Sequence, residues 1–359
     1  MISRIQIDRL FKLLMITVLA IAILYVGRVV LIPIAAAMVL TILIYPINRF
    51  FERFMHRILA TILNFVFLTL IISGVIFFFG TQMVQLFGDI ENFWVQIEKV
   101  MQNVVAFFET NVFNRRITLK DFGGSGSLLE SSTFIVNKTI TSSTILVGFL
   151  SMVAVYTFLF LLYRTTLKEF VLVYMFKTED TDEIEGIINE IIGVIRKYFL
   201  GLLIVISIVG TMNGLGLWAI GLDYPFLFGY LAALLTIVPY IGTAIGGMLP
   251  TLYALINYDS LWMPLLVAAL YITVQSIEGN VLTPKIVGSQ ASLNPLFAIL
   301  SIILGGVIWG IAGMILFVPF VAILKIIFDH VGSLKPIGIL LSSDFVSQLS
   351  KSGRHKKDD

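Results

Sequence analysis

Two charge-free runs govern what this chain can become: 35 residues from Tyr224 to Tyr258 and 39 residues from Ile286 to Leu324. Neither suits a water-soluble domain, where about a quarter of residues are charged. Here only 13% of the 359 residues are charged, 58% are hydrophobic and mean hydropathy is +0.99. The bilayer is therefore the solvent, and a spanning backbone must satisfy its own hydrogen bonds as helices. At ~1.5 Å rise per residue a 35-residue helix would be about 50 Å long, whereas ~20 residues cross the ~30 Å hydrocarbon core. Each run must therefore be broken, and helix breakers are present. The first holds Pro225, Gly229, Pro239, Gly242, Gly246, Gly247 and Pro250; the second holds Pro295, Gly305, Gly306, Gly310, Gly313 and Pro319.

The other charge-free intervals have the length of single crossings: Leu13–Gly27 (extended by Leu10 and Phe11), Val29–Asn48, Ile58–Gly80, Thr139–Tyr163 and Tyr198–Leu222; Ser260–Thr283, between the two broken runs, is one more span, carrying Pro264 and the single charge of Glu278. With the two broken runs this predicts an all-α, polytopic integral membrane protein of about eight membrane segments, two of them Gly/Pro-broken or re-entrant. No small-residue cleavage site follows the basic Met1-Ile2-Ser3-Arg4 start, so the first span is expected to be retained. The organisation predicted is three spans over 1–80, an extracytoplasmic segment 81–138, a fourth span 139–163 and a cytoplasmic helical segment 164–197. A transport core at 198–330 and a cytoplasmic tail at 331–359 complete it.

The broken runs resemble each other. Leu222-Asp223-Tyr224-Pro225 opens one and Leu293-Asn294-Pro295 the other; a Gly follows the first Pro by 17 and 18 residues (Gly242, Gly313), and a second Pro by 25 and 24 (Pro250, Pro319). This reads as a weak internal repeat, against the alternative that Gly and Pro are simply frequent in membrane helices. Lys and Arg set the orientation: 17 fall on the side holding both termini, six on the other, and Lys285 depends on whether the runs cross or re-enter. Both termini are therefore expected in the cytoplasm.

In the external segment, Phe87, Ile90, Trp94, Ile97, Met101, Val104 and Phe108 recur at helical spacing, which predicts an amphipathic helix. The run Gly123-Gly124-Ser125-Gly126-Ser127 reads as a loop. On the cytoplasmic side Glu179, Asp180, Asp182 and Glu183 precede the stripe Ile184, Ile188, Ile191 and Ile195, the arrangement of an acidic helix start.

Catalytic chemistry has little to work with. There is no cysteine, the three histidines (His56, His330, His355) have no metal-ligand spacing, and no Gly precedes a Lys, which excludes a Walker A loop. An enzyme is not expected, nor a cofactor, and a net charge of +2 gives no reason to expect nucleic acid. The informative groups are the few polar ones in the apolar second half. Glu278 lies deep in the Ser260–Thr283 interval with Gln275 one turn before it and Asn280 beside it. A carboxylate there should face a cavity or a partner, because insertion in hydrocarbon costs ~2.5–3.5 kcal/mol; it is a candidate for binding a proton or cation, with solvation at the headgroups or pairing to Lys285 as the alternative. Asp223 flanks the first broken run. Pro239 and Gly242, and Gly306 and Gly310, are candidate linings where broken helices expose backbone, although any one Gly here could equally serve helix packing.

These motifs resemble the autoinducer-2 exporter family. The resemblance is carried by Pro225-Phe226-Leu227-Phe228-Gly229, Val238-Pro239-Tyr240-Ile241-Gly242, Gln275-Ser276-Ile277-Glu278-Gly279-Asn280 continuing to Leu282-Thr283-Pro284-Lys285-Ile286-Val287-Gly288, Leu293-Asn294-Pro295, and Gly310-Ile311-Ala312-Gly313-Met314 with Val318-Pro319. The chain departs from the family pattern at Gly279, where a second polar residue is usual, and at Thr243, where Pro is usual. The resemblance implies eight spans, an external insertion after the third, and homo-oligomeric assembly, a pentamer being one possible stoichiometry. It also implies a bacterial inner-membrane permease that exports autoinducer-2 or exchanges sodium for protons. The partners expected are the lipid bilayer and a small solute or H+/Na+. A passive oligomeric pore and a non-transporting scaffold are the rival readings.

Overall fold

The computed structural model describes residues 4–88, 128–172, 181–238, 241–258, 260–288, 293–332 and 334–343. The expected amphipathic helix over 87–108, the Gly/Ser loop, Glu179, Asp180 and the tail beyond 343 fall wholly or largely outside these residues. Among the described residues the regular elements are helices: α1 Arg4–Val26, α2 Arg28–Glu52, α3 Arg57–Gly88, α4 Leu128–Phe170, α5 Thr181–Ile220, α6 Pro225–Leu235, α7 Ile241–Asn257, α8 Trp262–Ile277, α9 Pro295–Trp309, α10 Ile311–His330 and α11 Lys335–Leu341. A lone antiparallel bridge joins Leu293 to Ser342, beside a hydrogen bond from the Asn294 N–H to the Leu341 carbonyl (2.8 Å).

Among the described residues, six helices are long and apolar enough to cross a membrane: Arg28–Glu52, Arg57–Leu86, Val147–Phe170, Asp182–Ile220, Trp262–Val287 and Ile311–His330. Leu14–Val26, Pro225–Leu235 and Pro295–Trp309 are apolar but shorter. The predicted cytoplasmic helix and the span after it are one continuous 40-residue element, α5. Nothing at Arg196-Lys197-Tyr198 interrupts a helix, since a charged pair changes the preferred solvent and leaves the backbone free to continue. Asp182 and Glu183 occupy its first turn, where the helix dipole favours negative charge.

Two compact units divide the chain, one of Met1–Phe65, Leu150–Ile204 and Leu282–Asp359, the other of Val66–Phe149 and Val205–Val281. In the first, Ala35, Val39, Ile195, Ile308, Trp309 and Leu316 are buried together, flanked by Leu24, Leu31, Ile191, Phe317 and Phe320. Trp309 stacks edge-on against Phe317 and Phe320 and donates its indole N–H to the Leu24 carbonyl at 2.9 Å. That carbonyl belongs to the last turn of α1, where no residue further along the helix can satisfy it. In the second unit Leu217, Leu222, Phe228, Tyr253, Ala254 and Val267 form the core, with Leu270 and Tyr271 packed on it.

Each unit contains one of the broken runs, folded as a helical hairpin. The two hairpins have corresponding parts. Pro225 and Pro295 each stand at the start of the first helix, where a missing N–H costs nothing. Asn294 caps the second of these helices, its Oδ1 accepting from the Leu296 N–H at 3.0 Å. Gly242 and Gly313 each sit in the first turn of the returning helix, and Pro250 and Pro319 lie within that helix. The spacing repeat noted in the sequence is therefore a repeat of structure.

Candidate transport site

Tight helix contacts build the hairpin of the second unit. A β-carbon on Gly242 would collide with the Leu235 carbonyl, and one on Gly246 would lie 3.0 Å from Ala232, so α6 and α7 meet antiparallel along their small residues. On the other side of α6, Gly229 approaches the backbone of Gly214, while Tyr230 and Phe226 lie over Gly210 and Gly214 of α5. Small residues let membrane helices approach closely enough for dispersion to hold them. Gly242, a candidate lining residue, stands at this close helix contact, and Pro239 lies outside the described residues.

The first unit closes its hairpin differently. Gly310 alone links α9 to α10, at φ 62 and ψ −141, a backbone region that essentially only glycine enters. Gly306 lies under the Met314 side chain. Both are parts of the turn and its packing. The helix α9 spans 15 residues, about 22 Å at ~1.5 Å per residue and so shorter than the ~30 Å core.

The polar residues at the end of α8 separate into two arrangements. Gln275 donates its side-chain N–H to Glu278 Oε2 at 2.6 Å, and both side chains are half-buried. Asn280 turns away and donates to the Ser276 carbonyl at 2.9 Å, on an exposed face. Gln275 and Glu278 are three apart on a helix, which puts them on one face. The backbone also changes here. The α-helix ends at Ile277, and two π turns follow, Glu278–Leu282 and Pro284–Gly288. The expected span Ser260–Thr283 falls within one apolar stretch long enough to cross, Trp262–Val287, whose last part is π-helical. Pro284 has no N–H to donate and its ring would clash with the carbonyl four residues back, so the wider turns around it accommodate what an α-turn cannot. Short π segments of this kind often mark functional sites in helices. Among the described residues nothing fills the space a β-carbon on Gly279 would take.

Asp223 belongs to a separate cluster in the turn between α5 and α6. Its N–H donates to the Tyr258 hydroxyl at 3.1 Å, and that hydroxyl lies 3.0 Å from Asp223 Oδ2 and 3.2 Å from the Gly221 carbonyl, either of which can accept its one proton. Burial, and beyond it the Asp223 carboxylate, raises the Tyr258 pKa above the ordinary phenol value. The turn needs this support because Tyr224 takes a left-handed φ of 54 and Gly221 one of 87. Asp223 thus holds a turn, away from the Gln275–Glu278 pair along the chain.

Sequence reading missed several polar contacts within the apolar second unit. Tyr271 donates to the Phe228 carbonyl at 3.2 Å, joining α8 to α6, and the hydroxyls of Thr211 and Tyr230 are 2.9 Å apart, joining α5 to α6. A tyrosine inside an otherwise apolar run was the available signal, since a buried hydroxyl requires a partner. No group of three or more His, Cys, Asp or Glu among the described residues is arranged to hold a metal.

The comparisons with known proteins agree with this architecture. The chain is 26% identical over 358 residues, 98% of its length and 96% of the relative's, to a Borreliella burgdorferi protein named provisionally for transport. It is 36% identical over 133 residues, 37% of each chain, to YrrI of Bacillus subtilis, likewise named. Over 144 residues, 39% of this chain and 42% of the relative, it is 33% identical to the AI-2 transport protein TqsA of Escherichia coli. The model of the AI-2E family transporter matches residues 14–332, and with nearly the whole chain covered, this protein is a multi-pass membrane transporter belonging to the AI-2E family.

Proposed function

We propose that the protein is a secondary transporter in which the Gln275–Glu278 pair binds the coupling cation, moving either a small polar solute outward or Na+ against H+. The observation that carries this reading is the placement of the pair. A carboxylate and an amide share one helix face where the α-helix gives way to π turns, so backbone carbonyls near the pair are available to a ligand. Carboxylate and carbonyl oxygens are the donor set that hard cations prefer. The name of TqsA gives AI-2 as its cargo, and the likeness to it favours a small signalling molecule as the exported solute. The chain would work as a homo-oligomer in a bacterial inner membrane, with both termini in the cytoplasm.

The test is proton and sodium flux in liposomes containing the purified protein, with Glu278→Gln beside it. Gradient-driven flux that is lost in a folded Glu278→Gln protein supports the reading. Equal flux in both proteins removes Glu278 from the mechanism. Ion flux that grows linearly with concentration, without saturation, would identify a passive pore instead.

A further inference from the structure

A polar seam in the first unit has no part in that reading. Three helix faces build it: Tyr45, Asn48 and Glu52 on α2; Arg57, Thr61 and Asn64 on α3; Thr157, Leu161, Arg164 and Thr165 on α4. Each set follows three- and four-residue steps, so each occupies one stripe. Asn48, Thr61 and Thr157 are 0% exposed and Asn64 is 1% exposed. The mouth is stitched by two guanidiniums. Arg57 donates to the Leu161 carbonyl at 3.0 Å and to Thr165 Oγ1 at 3.3 Å. Arg164 pairs with Glu52 and lies 4.9 Å over the Tyr45 ring, and Asn48 Nδ2 donates to the other Glu52 oxygen at 2.9 Å.

Four buried polar atoms in this seam have no hydrogen-bond partner among the described residues: Arg57 Nε, Arg164 Nη1, Asn64 Nδ2 and Asn48 Oδ1. Buried polar groups are nearly always satisfied by protein, water or ligand, so four together ask for a ligand. Their chemistry specifies one. Three are N–H donors, two of them on guanidiniums, and the seam's one carboxylate, Glu52, pairs with Arg164 alone, so the charges named leave a net positive balance. The fourth is an acceptor and needs a donor. Guanidinium geometry matches phosphate oxygens, and the acceptor fits a hydroxyl. The rim has the same character: Arg49 and Arg53 are exposed beside Phe50 and Phe54, whose rings pack edge-on, an aromatic and basic mix suited to the headgroup boundary.

We infer that the seam at the α2–α3 turn is a binding site for a phosphate group bearing a hydroxyl, held by Arg57 and Arg164 with Asn64 and Asn48 completing the contacts. The source is either the headgroup of an anionic phospholipid such as phosphatidylglycerol or soluble inorganic phosphate.

The experiment is thermal melting of the full-length protein in neutral detergent with short-chain phosphatidylglycerol, short-chain phosphatidylcholine or inorganic phosphate, because a ligand that binds the folded state raises the midpoint. A rise with phosphatidylglycerol and none with phosphatidylcholine assigns the lipid headgroup; a rise with inorganic phosphate alone assigns the soluble anion. No rise with either, or an equal rise with both lipids, overturns the site. Two variants locate it. Asn64→Leu removes the buried amide, and the double change Glu52→Gln with Arg164→Gln removes the ion pair without altering net charge. Each should need about tenfold or more ligand for half the shift, the size expected when a hydrogen bond to a charged group is lost. If the double variant fails to fold, Asn64→Leu decides alone, and an unchanged ligand dependence there refutes the assignment.

Discussion

Gly305 and Gly313 face each other across the Gly310 turn so closely that a β-carbon on either would collide with the carbonyl of the other. Gly313→Ala is therefore expected to destabilise the protein by about 1–3 kcal/mol, the usual cost of overpacking. Gly74→Ala, at a helical position where a β-carbon meets nothing, should be neutral or stabilising by up to ~1 kcal/mol. Thermal melts of the two variants in one detergent compare them directly; equal midpoints would show that the hairpin is not held at this contact.

Trp309 bonds the last turn of α1 through its indole N–H. Trp309→Phe keeps most of the ring but leaves the Leu24 carbonyl without that donor and opens space beside Phe317. A loss of about 1–3 kcal/mol is expected. Protease cleavage near α1 should also become faster, and a variant with wild-type melting and cleavage would assign the docking of α1 to apolar packing alone.

Gln275→Leu removes the donor to Glu278 while preserving size and the helix. A hydrogen bond to a charged group is worth about 1.5–3 kcal/mol, so cation-coupled flux should fall roughly tenfold to a hundredfold. Asn280→Ala, which loses only a bond to its own helix, should leave flux within about twofold, because surface changes away from a site are within ~0.5 kcal/mol. Similar losses in both variants would contradict the separation of Gln275 from Asn280.

Tyr258 has its pKa raised in the folded state by burial and by Asp223. A group whose folded pKa lies above its unfolded value near 10 contributes stability below pH ~10, and that contribution is lost as pH rises through the folded pKa. Wild-type stability should therefore fall more steeply above pH ~10 than that of Tyr258→Phe, which should itself be less stable at neutral pH by about 0.5–1.5 kcal/mol. Parallel pH curves for the two proteins would show that the Tyr258–Asp223 contact is absent in solution.

Much of this architecture was legible without coordinates because it follows from what lipid forbids. Charge-free runs such as Val29–Asn48 have one stable fate in a bilayer, and Pro225, Pro295 and Gly310 each end or begin helices where their own backbone chemistry demands it. The Gln275–Glu278 pairing was legible too, since residues three apart on a helix share a face. The hydrogen bonds of Asn280 to the Ser276 carbonyl and of Asp223 to Tyr258 were not legible, because spacing along the chain cannot say which partner an amide or carboxylate will choose.

The amino-acid sequence by itself determined that the chain is helical, membrane-embedded and interrupted twice, for those are properties of single segments and their solvent. Only the tertiary structure decided what each interruption does. Gly242 meets Leu235 and Gly313 meets Gly305, residues of the opposite helix, contacts that no spacing along the chain states. Likewise Asn48, Asn64, Arg57 and Arg164 are unremarkable at their separate places in the chain. They become one polar seam because three helices bury them together, where an unmet hydrogen bond has no water to turn to.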